Sequence, residues 1–211
     1  MTPPTRWWWV RHAPVTVNNG CIYGQTDLPC DCGPAEAFAW LAARLPRDAV
    51  WVTSHLQRTH LTAAAIVRAG LAGPDLIPGP AVVVERDLAE QHFGTWQGLS
   101  YGALPGLLGA AYSRLWLAPA HHTPPGGESF LDVAARVRGA IDRLGSRFAG
   151  RDIIAVAHGG TIRAALAHAA GIAPEAALAF AIDNCSLTTF EHHADEGREG
   201  WRIVAVNQLW H

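Results

Sequence analysis

The chain has 211 residues, 49% of them apolar and 16% charged, which fits one globular domain (1-211) with an elaboration and a sizeable core. Its formal net charge is -2 with no basic block, so a nucleic-acid partner held by phosphate neutralisation is not expected. No apolar run approaches the roughly 18 residues of a membrane span, and all 16 basic residues are arginine, which removes P-loop NTPases, Schiff-base enzymes and Ser-Lys hydrolases.

Apolar runs alternate with helical patterns along the chain. Strands are expected at Arg6–Arg11, Ala49–Ser54, Ala81–Glu85, Asp152–His158, Ser186–Glu191 and Trp201–Val206. Helices are expected at Pro34–Leu45, His55–Ala69, Phe130–Phe148, Ile162–Ala170 and near Glu175–Phe180. Gly33-Pro34 puts proline at a first helical position. Ser54 with Gln57, and Ser129 with Asp132, read as capping boxes, and Thr161 as the cap of the helix after His158-Gly159-Gly160. The last two strands, joined by the polar stretch His192–Gly200, read as an edge hairpin. The sum is a three-layer, doubly wound α/β fold with a mostly parallel sheet of about six strands flanked by helices. A lid insertion interrupts the alternation at approximately 97-127; within it Tyr101, Leu104, Leu108, Tyr112 and Leu115 fall at helical spacing and are expected to pack on the core.

Three segments share one geometry: a strand, a sharp exit, then a residue of catalytic type. They give Arg11-His12, Ser54 followed by Arg58, and His158-Gly159-Gly160. Parallel strands open all three on one edge of the sheet, where ligands of such folds bind. Two arginines, two histidines and helix N-termini around one crevice describe a phosphate site. A neutral histidine can attack phosphorus through one ring nitrogen while a hydrogen bond holds the proton on the other. The departing alkoxide needs an acid, and Glu90, ahead of the lid, is the best candidate over Glu85 and Glu128. The paired histidines His121-His122 and His192-His193 read as solvated loops, because adjacent residues share no helix or strand face. The triple tryptophan Trp7-Trp8-Trp9 reads as core.

These segments, in order, resemble the histidine phosphatase (phosphoglycerate-mutase-like) superfamily. Arg11-His12-Ala13 with Asn18 and Tyr23-Gly24-Gln25-Thr26-Asp27-Leu28-Pro29 is similar to its opening. Thr53–Thr59, Leu88–Gly98, Gly126-Gly127-Glu128-Ser129 and His158-Gly159-Gly160-Thr161 resemble its remaining motifs, and Asn207 with His211 a loose ending. The resemblance implies that His12 is the phosphorylated nucleophile, that Arg11, Arg58 and His158 bind the phosphoryl oxygens, and that Glu90 protonates the leaving group. Asn18 and Thr26 would border the pocket. It implies no metal and no cofactor, since cationic side chains neutralise the charge. Ala13 replaces the commoner glycine, His55 a frequent proline and Cys30 an aliphatic residue; the alanine version occurs in branches resembling α-ribazole phosphatase.

Between Gln97 and Gly127 the basic groups are Arg114, His121 and His122, amid Leu, Trp, Tyr and Ala. A bisphosphoglycerate mutase needs more cations there for its second anionic group. A phosphatase acting on a small monoester with a neutral or partly apolar leaving group, such as α-ribazole 5′-phosphate, fits better. The alternatives are a phosphoglycerate mutase-type phosphotransferase, a non-catalytic phospho-ligand binder on the same fold, and a metal-dependent hydrolase. The N-terminus lacks a signal-peptide pattern, and Cys21, Cys30, Cys32 and Cys185 form no CxxC pair, so reduced thiols in a cytoplasmic protein are expected. The expected partner is a small-molecule phosphate ester; a homodimer is compatible with the sequence.

Overall fold

The computed structural model describes residues 3–71, 82–109, 116–195 and 198–210. Six strands form one sheet: β1 (Thr5–Arg11), β2 (Ala49–Thr53), β3 (Val82–Val84), β4 (Asp152–Ala157), β5 (Leu187–Asp195) and β6 (Arg198–Gln208), in the order β3-β2-β4-β1-β5-β6. β3, β2, β4 and β1 are parallel neighbours, whereas β5 runs antiparallel to β1 and β6 antiparallel to β5. The helices are α1 (Ala35–Arg44), α2 (Gln57–Arg68), α3 (Leu104–Leu108), α4 (Phe130–Arg147), α5 (Gly159–Ala170) and α6 (Pro174–Ala177). This is the doubly wound α/β architecture that the alternation of apolar runs predicts.

Side-chain alternation along β1 builds a core on each face. Trp7 and Trp9 are fully buried, stack on each other with ring centroids 5.3 Å apart, and pack with α4 and α5. Val10 joins the opposite core of α1 and α2. The central strand β4 is buried on both faces from Ile153 to Ala157, which is why its sequence is a continuous apolar run. Its backbone pairs Arg11 with Ala157 and Thr53 with Val156, so three strands end level with one another. No described helix is long and apolar enough to cross a membrane.

Local start signals hold where nothing else claims the side chain. Ser129 and Asp132 form the expected capping box at the start of α4. Elsewhere they are overruled. Pro34 is the N-cap of α1 rather than its first residue. α2 begins at Gln57, not His55, with Leu56 at its N-cap; Asp27 caps it instead, Oδ1 accepting from the Gln57 N–H at 2.7 Å. His158 is the N-cap of α5, and Thr161 lies inside the helix with its hydroxyl donating to Leu88 and Ala89 carbonyls. The hairpin link is shorter than the stretch His192–Gly200: β5 continues through Asp195, and His192 stacks on its cross-strand partner Trp201 at 4.4 Å. His192 and His193 are therefore strand residues, and His122 stacks on Trp96 at 5.3 Å rather than standing free in a loop.

In the segment before α4, Tyr101–Ala103 is one 3-10 turn followed by α3. Leu104 is fully buried with Ile22, Phe93 and Trp96. Tyr101, expected in the core, is 45% exposed. Ala81, Tyr112, Arg114, Leu115 and His211 lie outside the described residues.

Candidate active site

β1, β4 and β2 are adjacent, so their exits place His12, His158 and Ser54 at one sheet edge. His12 continues the ladder by donating its N–H to the Ala157 carbonyl at 3.0 Å. Its ring is 5.2 Å from that of His158, and both side chains are cut off from solvent.

His12 Nδ1 lies 2.7 Å from the Ala13 carbonyl oxygen. A carbonyl only accepts, so Nδ1 carries the proton and Nε2 the lone pair. The ring stays neutral because burial holds its pKa well below 6.5, with Arg11 and Arg58 adding to the effect. Ala13 is fixed in turn: its N–H donates to Thr62 Oγ1 at 2.8 Å.

Arg58, in the first turn of α2, is fully buried. Its Nε donates to His158 Nδ1 at 3.2 Å, Nη1 to the Thr26 carbonyl at 3.0 Å and Nη2 to the Gly24 carbonyl at 2.6 Å. Its guanidinium also lies over the Tyr23 ring at 5.1 Å. Accepting at Nδ1, the neutral His158 carries its proton on Nε2 and donates to Ser54 Oγ at 2.8 Å. Burial, then Arg58 and His12, hold His158 well below 6.5. Both of its ring nitrogens are thus engaged by protein in this arrangement, one by Arg58 and one by Ser54.

Arg11 donates through Nη1 to the Ile182 carbonyl, while its buried Nε has no partner among the described residues. An unmet buried donor beside two arginine-flanked histidines favours an anion. Glu90, 8% exposed, accepts from the Gly160 N–H at 3.2 Å through Oε2 and from the Gln91 N–H at 2.9 Å through Oε1. Arg11 and Glu90 line a cavity of about 90 Å³ with Tyr23, Phe93, Tyr101 and Trp116. Larger surface clefts contain none of these groups.

The remaining expected residues stand further back. Thr26 contributes its carbonyl to Arg58, and its hydroxyl accepts from Gln97 Nε2 at 3.4 Å. Asn18 closes a turn, Nδ2 donating to the Cys21 carbonyl at 2.9 Å, and shares no hydrogen bond with the cluster among the described residues.

Two arginines escaped the sequence reading. Arg163 is buried, which pulls its guanidinium down to about 10; its Nε donates to the Phe180 carbonyl at 2.8 Å and it stacks over Trp116 at 4.7 Å. A Cβ on Gly159 would stand 3.2 Å from Arg163 Nη1 and 3.5 Å from Arg11 Nε, so the two guanidiniums approach one point. Its only sequence signal is helical spacing, four residues after Gly159. Arg136 of α4 holds the loop that carries Glu90. Its Nη2 donates to the Glu90 carbonyl at 3.1 Å and Nη1 to the Asp87 and Ala89 carbonyls. Glu128 fixes Arg136 through two hydrogen bonds of 2.9 and 2.8 Å and accepts the His92 N–H at 2.8 Å. Glu128 and His92 are therefore scaffolding for Glu90.

Comparison with known proteins gives the family. The family model described as the histidine phosphatase superfamily (branch 1) matches residues 7–208. The chain is 35% identical over 177 residues to 2,3-bisphosphoglycerate-dependent phosphoglycerate mutase 2 of Gloeobacter violaceus, covering 82% of this chain and 78% of that one. It is 33% identical over 168 residues to glucosyl-3-phosphoglycerate phosphatase of Mycobacterium tuberculosis, covering 74% and 70%. A bifunctional protein of the same organism is longer, and the match spans 43% of it. The alpha-ribazole phosphatase of Shigella flexneri shares the fold, with a TM-score of 0.76 over 97% of this chain and 96% of that one at 22% identity. With the motif residues gathered at the ends of β1, β2 and β4 and the family match running nearly end to end, the chain belongs to the histidine phosphatase superfamily, branch 1.

Proposed function

We propose that this protein is a metal-independent phosphomonoesterase that works through a phosphohistidine at His12. The observation that carries this reading is the tautomer of His12: Nδ1–H is held by the Ala13 carbonyl, and two arginines and burial keep the ring neutral. Nε2 attacks phosphorus in line with the ester oxygen; the N–P bond forms as the P–O bond breaks. Glu90 delivers a proton to the departing oxygen. Arg11 and Arg58 offset charge on the phosphoryl oxygens, with Arg58 held in place by His158. Glu90 then takes a proton from water, which attacks phosphorus and releases inorganic phosphate and neutral His12.

The aromatic lining of Tyr23, Phe93, Tyr101 and Trp116 supports a leaving group with a planar, partly apolar body, as in α-ribazole 5′-phosphate. A specific observation favours a second reading. The terminal nitrogens of Arg163 have no hydrogen-bond partner among the described residues, which suits a leaving group with its own anionic group, as in phosphoglycerates.

The test is acid-quenched labelling with a phosphate ester, with and without chelator. An acid-labile phosphoenzyme that is absent in His12→Ala and insensitive to chelator is expected. Ligand binding without a phosphoenzyme or turnover would instead support the non-catalytic binder. Turnover of a panel containing α-ribazole phosphate, phosphoglycerates, sugar phosphates and nucleotides separates the substrate readings, and mutation of phosphoglycerate without hydrolysis of simple monoesters would assign a mutase.

A further inference from the structure

Cys30 and Cys32 flank one exposed residue, Asp31, and their sulfur atoms are 3.7 Å apart. An S–S bond is about 2.05 Å long, so these two sulfurs are already in contact. The segment is anchored between them: the Asp31 N–H donates to the Pro14 carbonyl at 2.7 Å, and Asp31 Oδ1 accepts from the Gly33 N–H at 2.8 Å. The four cysteines carry no disulfide in this structure, and the approach of Cys30 to Cys32 is a property of the fold.

Cys30 also touches the support of the nucleophile. Its Sγ donates to the Arg58 carbonyl oxygen at 3.3 Å and lies 3.6 Å from Thr62 Oγ1. Thr62 Oγ1 donates to the same carbonyl at 2.7 Å and accepts the Ala13 N–H at 2.8 Å. The Ala13 carbonyl holds His12 Nδ1. Only Thr62 and Ala13 stand between the sulfur and the imidazole.

The two thiols differ in reactivity. The hydrogen bond from Cys32 pushes Cys30 down to about 7, with the Arg58 charge adding and burial opposing; the same bond and burial push Cys32 up. Cys30 is thus the thiol of the pair that gives up its proton the more readily, releasing its bond to the Arg58 carbonyl, and the thiolate so formed is what reacts with peroxides. Cys32 borders a cleft of about 200 Å³ with Phe38, Ala65 and Arg68.

We propose that Cys30 and Cys32 are a modification site: a dithiol that a hydroperoxide closes to a disulfide and a small thiol reopens, with closure drawing Cys30 away from Thr62 and slowing catalysis at His12. The Cys30 thiolate attacks a peroxide oxygen; the S–O bond forms, the O–O bond breaks, and hydroxide leaves to take up a proton as water. The Cys32 sulfur then attacks the Cys30 sulfur, the S–S bond forms, and the sulfenic hydroxyl departs with the Cys32 proton as a second water. Two thiols and one hydrogen peroxide give one disulfide and two waters, the sulfurs losing the two electrons that the peroxide gains. Two equivalents of a small thiol reverse it and are themselves oxidised to a disulfide. The effect on catalysis rests on the phosphomonoesterase reading; the thiol chemistry does not.

The full chain is treated with hydrogen peroxide, its remaining thiols are alkylated, and the tryptic peptide His12–Arg44 is sequenced by tandem mass spectrometry. The expected product is alkylated at Cys21 and lacks two hydrogens across Cys30 and Cys32; dithiothreitol restores alkylation at all three. Hydrolysis of p-nitrophenyl phosphate falls in parallel by about tenfold and recovers with the reductant, since displacing a reacting group by about an ångström costs up to about a hundredfold. Cys32→Ser keeps the untreated activity but traps a dimedone-reactive sulfenic acid at Cys30. Alkylation of Cys30 and Cys32 after peroxide, or pairing of either with another cysteine, overturns the dithiol. A disulfide formed without loss of activity overturns its coupling to His12. A disulfide formed in a protein with no phosphatase activity before treatment counts against the phosphomonoesterase reading alone.

Discussion

Arg58 Nε donates a hydrogen bond to His158 Nδ1 across 3.2 Å, joining two side chains that are 100 positions apart and wholly removed from solvent. Only a neutral imidazole can accept at that nitrogen, so the contact and the depressed basicity of His158 have one cause. Protonating His158 would set a second cation against Arg58.

That relationship fixes the pH behaviour. His12 and His158 are both held well below the ordinary 6.5. Their neutral forms are favoured by folding, so their contribution to stability is fully present above about pH 6.5 and is lost as pH falls toward the folded values, where the unfolded chain binds protons that the folded chain does not. Activity should therefore persist below about pH 6.5, with its acid limb at lower pH, and urea midpoints should decline over the same window. A profile of kcat/KM against pH with a limb at the ordinary imidazole value would contradict the assignment.

Arg136 spreads five hydrogen bonds over Glu128 and the carbonyls of Asp87, Ala89 and Glu90. Arg136→Met should lower stability by about 3 kcal/mol, because it leaves Glu128 largely buried without its partner. It should also reduce kcat more for alkyl phosphates than for p-nitrophenyl phosphate, whose leaving group needs no proton. Arg136→Lys should rescue little, lacking the planar fork. Denaturant titration and paired kinetics check both parts.

Gly160 and Gly127 are expected to respond differently to alanine. A Cβ on Gly160 would fall on Glu90 Oε1 and stand 3.3 Å from Trp116, both of them side chains. Gly160→Ala should thus displace Glu90, the proposed acid, and cut kcat on alkyl phosphates by about a hundredfold with the fold retained. A Cβ on Gly127 meets only backbone of His92, Phe93 and Gly94. Gly127→Ala should destabilise by about 1–3 kcal/mol. Thermal melts and steady-state kinetics of the two variants separate the effects.

The two helix caps make a further pair. Ser129→Ala removes the capping box of α4 and should cost about 1 kcal/mol with KM unchanged. Asp27→Ala removes a comparable cap from α2, but the first turn of α2 carries Arg58, so KM for phosphate esters should rise as well. Equal KM values in the two variants would show that the cap does not position the arginine.

The elements of the fold were readable because their signals are local. The run Ile153-Ile154-Ala155-Val156-Ala157 announces a strand buried on both faces, and the α4 pattern announces one buried stripe. The caps at Ser54 and Thr161 were misread for a related reason. A hydroxyl just ahead of a helix satisfies a chain-neighbour rule, yet Ser54 Oγ accepts the Leu56 N–H rather than that of Gln57 and also bonds His158, and Thr161 bonds Leu88 and Ala89 across the fold. Arg163 and Arg136 were missed because an arginine on a helix reads as solvated until something is packed over it.

By itself the sequence determined the order of strands and helices and which residues stand at their ends: Arg11-His12, Ser54 with Arg58, Glu90 and His158. Periodicity and turn chemistry depend on neighbours a few positions away, and those are written in the chain. Even the proton on His12 Nδ1 rests on the adjacent Ala13 carbonyl. The strand order β2-β4-β1 decided the rest, because it brings Arg58 to His158, Arg136 to Glu90 and Thr62 to both Ala13 and Cys30. Those contacts set charge, protonation and support through burial and distance, which exist only after the layers have packed.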